Sequence, residues 1–240
     1  MKVSVILPAA GLGTRMKAQP EKTGTSRKQF MLLDGSPILL HTIRKFDSSP
    51  LVSEIVVALR HDDIEWVSEL LAKEHLSKPV RLVEGGDSRQ ASVQNALATL
   101  ASDTDLVAVH DAVRPFIDQE RIENVIRMAA ETGAAIVGIV PVDTVKTLRK
   151  NKVSGTVLRE GLALAQTPQV FRYALLKQAF EKAREDGFIA TDESSLVERL
   201  EQVEVSVVLG SDRNIKITKP SDMDLARLFL TEEMAERKAS

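Results

Sequence analysis

The first apolar run of this chain, with Val3, Val5, Ile6 and Leu7, leads straight into Pro8-Ala9-Ala10-Gly11-Leu12-Gly13-Thr14-Arg15 and, further on, Lys28. Glycines placed just after a strand let the backbone bend sharply and turn its N–H groups toward an anion. Arg15 and Lys28 add full positive charges, so the chemistry suggested is the holding of a nucleoside triphosphate. Two familiar phosphate motifs are excluded by spacing: no third glycine completes G-x-G-x-x-G, and no Gly-Lys-Ser/Thr closes the turn as in a P-loop. A glycine turn after a strand is also common for geometric reasons alone.

Further clusters follow in order. Gly85-Gly86-Asp87-Ser88-Arg89-Gln90-Ala91-Ser92 reads as a turn in which Asp87 or Ser88 caps a helix. As a site, it would let a flat base lie against Gly86 while Asp87 and Ser92 bond to its edge. In Val109-His110-Asp111-Ala112-Val113-Arg114-Pro115, Asp111 stands at the carboxyl end of a strand, where a carboxylate can hold a ribose hydroxyl or magnesium. Arg114 lies three residues on, in a loop stiffened by Pro115. His110 reads as structural, because none of the four histidines has metal-ligand spacing. Pro141-Val142-Asp143-Thr144-Val145-Lys146, Arg159, Gln166-Thr167-Pro168-Gln169, Thr191-Asp192-Glu193 and Asn214-Ile215-Lys216-Ile217-Thr218 are each ordinary alone.

The elements that must carry these groups alternate. Ile55 to Leu59, Val80 to Val83, Leu106 to His110, Ala134 to Val140 and Val203 to Leu209 read as strands. Pro37 to Phe46, Asp62 to His75, Ser88 to Leu100, Gln119 to Ala130 and Arg172 to Glu185 repeat apolar residues at helical spacing. The βαβα order predicts an α/β fold in three layers: a mostly parallel, Rossmann-like sheet with helices on both faces and ligands at the carboxyl ends of the strands. Thr144 to Leu148 and Lys152 to Leu158 alternate apolar and polar residues around Arg149-Lys150-Asn151, with Arg159 beyond the tip. This predicts a projecting β-hairpin arm at about 142–160, packed on a second copy of the chain, since an isolated hairpin is marginal in water. Lys17 to Arg27 reads as a mobile loop.

At 240 residues, with 43% hydrophobic and 28% charged content, the expectation is one domain over 1–240 with the arm inserted. A net charge of -2 argues against nucleic-acid or anionic-membrane partners, and the lack of cysteine removes disulfides, thiolate nucleophiles and Cys-based metal sites. The longest apolar stretch, 133–142, is too short to span a bilayer, and the start at Lys2 lacks a signal peptide's apolar core. A cytoplasmic location is expected.

Taken in order, PAAGLGTRM, KQF, GGDSRQAS, VHDAVRP, PVDTVK, the TVLRE arginine, QTPQ, TDE and NIKIT closely resemble the 2-C-methyl-D-erythritol 4-phosphate cytidylyltransferases of the non-mevalonate isoprenoid pathway, across nearly the whole chain. The ribitol-5-phosphate cytidylyltransferases resemble the same pattern. The resemblance implies transfer of CMP from CTP to methylerythritol phosphate, with release of pyrophosphate and with magnesium held mainly by the CTP phosphates, Asp111 being the one candidate protein ligand. By motif, Pro8, Ala9, Ala10, Gly11 and Gly13 wrap the nucleotide; Gly86, Asp87 and Ser92 read cytosine; Asp111 lies near the ribose. Arg15 and Lys28 grip the triphosphate. Asp111, Arg114, Thr167 and Lys216 face the sugar phosphate, joined by Thr144 and Arg159 on the arm of the neighbouring subunit of a homodimer.

The catalytic set so implied is Arg15, Lys28, Arg159 and Lys216. A non-catalytic nucleotide-binding protein on the same fold is the alternative from another class; it would not need Arg159 and Lys216. One departure stands out: thirteen positions separate Arg15 from Lys28, a longer loop than the resemblance leads one to expect. Lys17, Lys22 and Arg27 therefore rival Lys28, and the loop is expected to be disordered without CTP.

Overall fold

The computed structural model describes residues 1–11 and 27–239. Gly13, Arg15, Lys17, Lys22 and nearly all of the loop expected to be mobile lie outside the described residues. Strand β1 (Val3–Pro8) is buried on both faces. Val3, Val5 and Leu7 join one apolar cluster and Ile6 the other, as the two-residue strand repeat requires. Such a strand needs neighbours on both edges, and β1 pairs in parallel with β4 (Glu54–Leu59) and β6 (Leu106–Val109). Outward from these run β5 (Val80–Glu84) beyond β4, then β10 (Leu164–Arg172), β7 (Ala134–Ile139) and β11 (Ser206–Leu209) beyond β6. The seven strands lie in the order β11-β7-β10-β6-β1-β4-β5.

Helices cover both faces, which explains the near-continuous apolar strands. On one side α1 (Ile38–Asp47), α2 (His61–Leu71) and α4 (Gln119–Thr132) bury Leu39, Val67 and Val125 against Val3 and Val5. On the other, α3 (Arg89–Ala98), α5 (Tyr173–Asp186) and α6 (Glu193–Glu198) bury Val93, Leu176 and Leu196 against Ile6. Local chemistry sets the ends. Ser88, Asp118 and Asp192 cap the starts of α3, α4 and α6, and Gly133 and Gly187, at φ 94 and 62, close α4 and α5.

The expected strands and helices are all present, with shifted ends: the last strand starts at Ser206 rather than Val203, and α2 stops at Leu71 rather than His75. Four elements were not foreseen. β10 runs antiparallel between β6 and β7 and carries the Gln166-Thr167-Pro168-Gln169 motif; its pairing with β7 shifts register between Ala165 and Gln169, where a proline without an N–H is tolerated. β2 (Leu32–Leu33) and β3 (Ser36–Pro37) form a small hairpin, and α7 (Pro220–Ala239) packs Met223 and Ala226 with Leu33 and Ile38.

The arm is a separate two-stranded sheet of β8 (Val145–Arg149) and β9 (Lys152–Val157). Lys150 and Asn151, at φ 47 and 62, form its two-residue turn, the positive-φ pair that matches strand twist. Arg159 is not beyond the tip: it sits at the base, in the turn Arg159–Gly161, and donates to the carbonyl of Val142.

Candidate active site

The turns after β1, β4, β5 and β6 meet at the strand carboxyl ends around a cleft of about 400 Å³ bordered by Pro8, Ala9, Ala10, Gly11, Lys28, Gly86, Asp87, Ser92, Asp111 and Lys216. Its floor is built from main chain. Ala9 N–H donates to Ala58 O at 2.7 Å, extending the β1–β4 pairing one residue into the turn. Gln29, 2% exposed, donates from Nε2 to Ala9 O at 2.7 Å and to Gly11 O at 3.1 Å. That clasp seats the turn Lys28–Phe30 on the glycine turn and brings Lys28 to the cleft. A Cβ on Gly11 would meet no atom of the described residues within 4 Å. Arg27, one rival to Lys28, is paired with Asp63 of α2.

The second turn is glycine-rich because two segments touch. Gly85 N–H donates to Leu59 O at 2.7 Å, and a Cβ on Gly85 would lie 2.7 Å from the Ala10 Cβ. At Gly86 it would lie 2.6 Å from the Ala91 Cβ, so this glycine makes room for α3 as well as for any ligand. Ser88, not Asp87, caps the helix, accepting from Ala91 N–H at 3.0 Å and leaving the exposed Asp87 carboxylate at the rim. Ser92 Oγ accepts from Gly86 N–H at 3.1 Å and donates to Ser88 O at 2.8 Å; it shapes the turn.

Asp111, 6% exposed, is ringed by three cations. Arg89 Nε lies 3.2 Å from Oδ1, Arg114 Nε 3.2 Å from Oδ2, and Lys216 Nζ 3.0 Å from Oδ2. Burial pushes its pKa up, but Arg89, Lys216 and Arg114 together hold it well below the usual carboxylate range. Arg89 also donates to Glu193 Oε1 at 2.7 Å. Burial raises the Glu193 pKa against that pull, and the two carboxylates keep Arg89 firmly charged despite its own burial.

Behind Asp111, donor counting fixes the hydrogens. His110 is fully buried, and burial lowers its pKa to about 4. Its Nε2 faces Arg114 O at 3.1 Å, an acceptor only, so Nε2 carries the proton. Nδ1 is then bare and accepts the Thr167 hydroxyl at 3.1 Å, while Thr167 Oγ1 accepts from Asp111 N–H at 3.0 Å. His110 is structural, as expected, and it ties the Asp111–Arg114 loop to β10. Nitrogen NMR should show His110 as the neutral Nε2–H tautomer at pH 6, protonating only near pH 4. A midpoint near 6.5 would contradict this environment. Because the folded pKa is depressed, the stabilisation is complete above about pH 6.5 and is lost as pH falls toward about 4.

Thr167 and Arg114 thus join Asp111, Lys216, Lys28 and the Gly85–Ser88 turn in one region. Thr144 and Arg159 do not: both are exposed on the arm, outside the cleft lining. Sequence reasoning missed Arg60 at the end of β4 and gave no role to Gln29, Arg89 and Glu193, although it singled out the motifs that contain them. Arg60 had a legible signal, a basic residue at a strand's carboxyl end. Among the described residues no cluster of three or more potential metal ligands occurs, and both Asp111 oxygens face cations.

A mostly parallel sheet whose glycine turns and cations converge at the strand carboxyl ends is the arrangement of a nucleotide-handling α/β protein. Residues 3–232 match the family model for 2-C-methyl-D-erythritol 4-phosphate cytidylyltransferase, and the chain belongs to that family of nucleotidyltransferases. It is 65% identical over 240 aligned positions to the protein of that name from Solibacter usitatus, covering 98% of each chain. The like-named protein of Acidobacterium capsulatum is 48% identical, with 96% of this chain and 98% of that one covered. The crystal structure of the Anaerococcus prevotii 4-diphosphocytidyl-2C-methyl-D-erythritol synthase superposes with a TM-score of 0.82 at 30% identity, covering 95% of this chain and 98% of that one. That of the Thermus thermophilus cytidylyltransferase gives 0.76 at 32% identity, with 95% and 98% covered.

Proposed function

We infer that the chain transfers CMP from CTP to 2-C-methyl-D-erythritol 4-phosphate, giving 4-diphosphocytidyl-2-C-methyl-D-erythritol and pyrophosphate in isoprenoid precursor synthesis, as one unit over 1–240 acting in the cytoplasm. The observation that carries the residue assignment is the single cleft shared by Lys28, the Gly85–Ser88 turn, Asp111 and Lys216. An oxygen of the acceptor phosphate bonds to the α-phosphorus; the bond from that phosphorus to the β-phosphate oxygen breaks, and pyrophosphate leaves with the electron pair. A phosphate monoester with a second pKa of about 6 is mostly dianionic at neutral pH, so it needs no general base. The barrier is charge: a dianion must approach a triphosphate. Fixed cations lower that barrier.

Pro8, Ala9, Ala10, Gly11 and Gly13 wrap CTP, with Gly86 and Asp87 at the base, Ser92 bracing their turn, and Asp111 at the ribose. Arg15 and Lys28 stabilise the triphosphate in the transition state. Lys216, Arg114 and Thr167 receive the acceptor; magnesium would be held mainly by the CTP phosphates and would supply further neutralisation of their charge. Thr144 and Arg159 complete the acceptor side from the partner subunit of a homodimer. Val142, Leu148, Val153 and Leu158, 63–81% exposed on and beside the arm, supply apolar surface for that contact.

Arg159→Ala should raise the KM for the acceptor and leave the KM for CTP unchanged; a selective loss of CTP affinity would remove the arm from the acceptor site. Pyrophosphate release with CTP plus methylerythritol phosphate, plus ribitol 5-phosphate, or with no acceptor tests the whole reading. Release is expected with methylerythritol phosphate; preference for ribitol phosphate would reassign the substrate, and no release with either would return the protein to nucleotide binding alone.

A further inference from the structure

The three cations at Asp111 differ in their freedom to move. Arg89 is tied at both ends, by Asp111 Oδ1 at 3.2 Å and by Glu193 Oε1 at 2.7 Å, and Glu193 is 1% exposed at the start of α6. Arg114 is also tied twice, by Asp111 Oδ2 at 3.2 Å and by Asn214 O at 2.7 Å. Lys216 has a flexible stem, and Asp111 is its ion-pair partner among the described residues. Its side chain is 36% exposed, against 28% for Arg89 and 12% for Arg114. Two guanidiniums are therefore anchored, and one ammonium can leave.

We propose that Arg89, tethered by Glu193, is a positioning residue: it keeps Asp111 in place and neutralised so that Lys216 can move from the carboxylate to the phosphate of the incoming acceptor. The proposal rests on the assignment of Lys216 to that phosphate. A buried carboxylate holds its last cations tightly, because each loss leaves more charge uncompensated. With Arg89 fixed on Oδ1, departure of Lys216 still leaves two guanidiniums on Asp111. Without Arg89 only Arg114 remains, and Lys216 is retained. An arginine suits this position because its planar fork engages two carboxylates at once, which a lysine ammonium does less well.

The test is initial-rate pyrophosphate release, with CTP and methylerythritol phosphate varied in turn, for Arg89→Gln, Arg89→Lys, Glu193→Gln and Lys216→Ala, alongside thermal melts. Arg89→Gln and Glu193→Gln are expected to raise the acceptor KM about tenfold, within the range of couplings in a shared ion-pair network, with the CTP KM within about twofold. Arg89→Lys should fall between them and the wild type. Glu193→Gln keeps side-chain shape and carries the test if Arg89→Gln does not fold. Equal changes for both substrates, or none in folded variants, overturn the positioning role. If Lys216→Ala leaves the acceptor KM unaltered, the Lys216 assignment itself fails; if it raises that KM while Arg89→Gln and Glu193→Gln do not, only the role of Arg89 does.

Discussion

Lys28→Ala is expected to lower turnover about a thousandfold, or about 4 kcal/mol of transition-state stabilisation, as loss of a single cation from a phosphoryl-transfer clamp does. The fold should survive. Lys28 is only half buried, and the clasp that seats its turn is made by the neighbouring Gln29. Melting temperature should stay near that of the wild type while pyrophosphate release collapses. Arg15→Ala should behave alike, since both residues are assigned to the same charge. Near-normal release from either variant would take that residue out of the triphosphate grip.

The second large effect is at Asp111, where function and stability meet. Asp111→Asn leaves Arg89, Arg114 and Lys216 facing one another around a group with no charge to offset theirs. Breaking a buried ion network by removing one partner typically costs about 3–5 kcal/mol. Activity should be lost with it, because the proposed function gives the same carboxylate both the ribose and the acceptor. The sign of the pH dependence follows from the depressed pKa of Asp111: the stabilisation is complete above the unfolded value of about 3.9 and is lost as pH falls below it. Wild type and variant should thus differ most in denaturant midpoint at neutral pH and converge in acid. A constant gap down to pH 2 would mean that the charge of Asp111 is not what stabilises the loop.

How much of this was legible depends on the kind of interaction. The strands around β1 announced themselves because a parallel strand buried on both faces is almost wholly apolar, as are Val3 to Leu7, Ser4 apart, and Ile55 to Leu59. β10 gave no such signal: Gln166, Thr167, Pro168 and Gln169 look like a loop, and only the register shift around the proline reconciles them with a strand. α7 carried apolar Met223, Ala226 and Leu230 at helical spacing and could have been found.

At the site, glycine turns and strand-end carboxylates follow a rule that sequence obeys locally. The Arg89–Glu193 pair does not: its members lie in the GGDSRQAS and TDE motifs, but 104 positions separate them and nothing in either motif points to the other. Gln29 was likewise hidden: a glutamine beside a lysine says nothing until the turn it clasps is folded against it. Gly86 shows the reverse case, a residue rightly singled out whose missing Cβ turns out to admit Ala91 of α3. Thr144 and Arg159 came from family wording alone, and neither is among the described residues that line the cleft.

The most direct measurement is a crystal structure with CTP and methylerythritol phosphate bound together. It should show the triphosphate against Lys28, cytosine at the Gly85–Ser88 turn, Lys216 shifted from Asp111 to the acceptor phosphate, and an acceptor oxygen in line with the α-phosphorus. CTP outside this cleft, or an acceptor phosphate bound apart from Lys216 and from the α-phosphorus, would contradict the account.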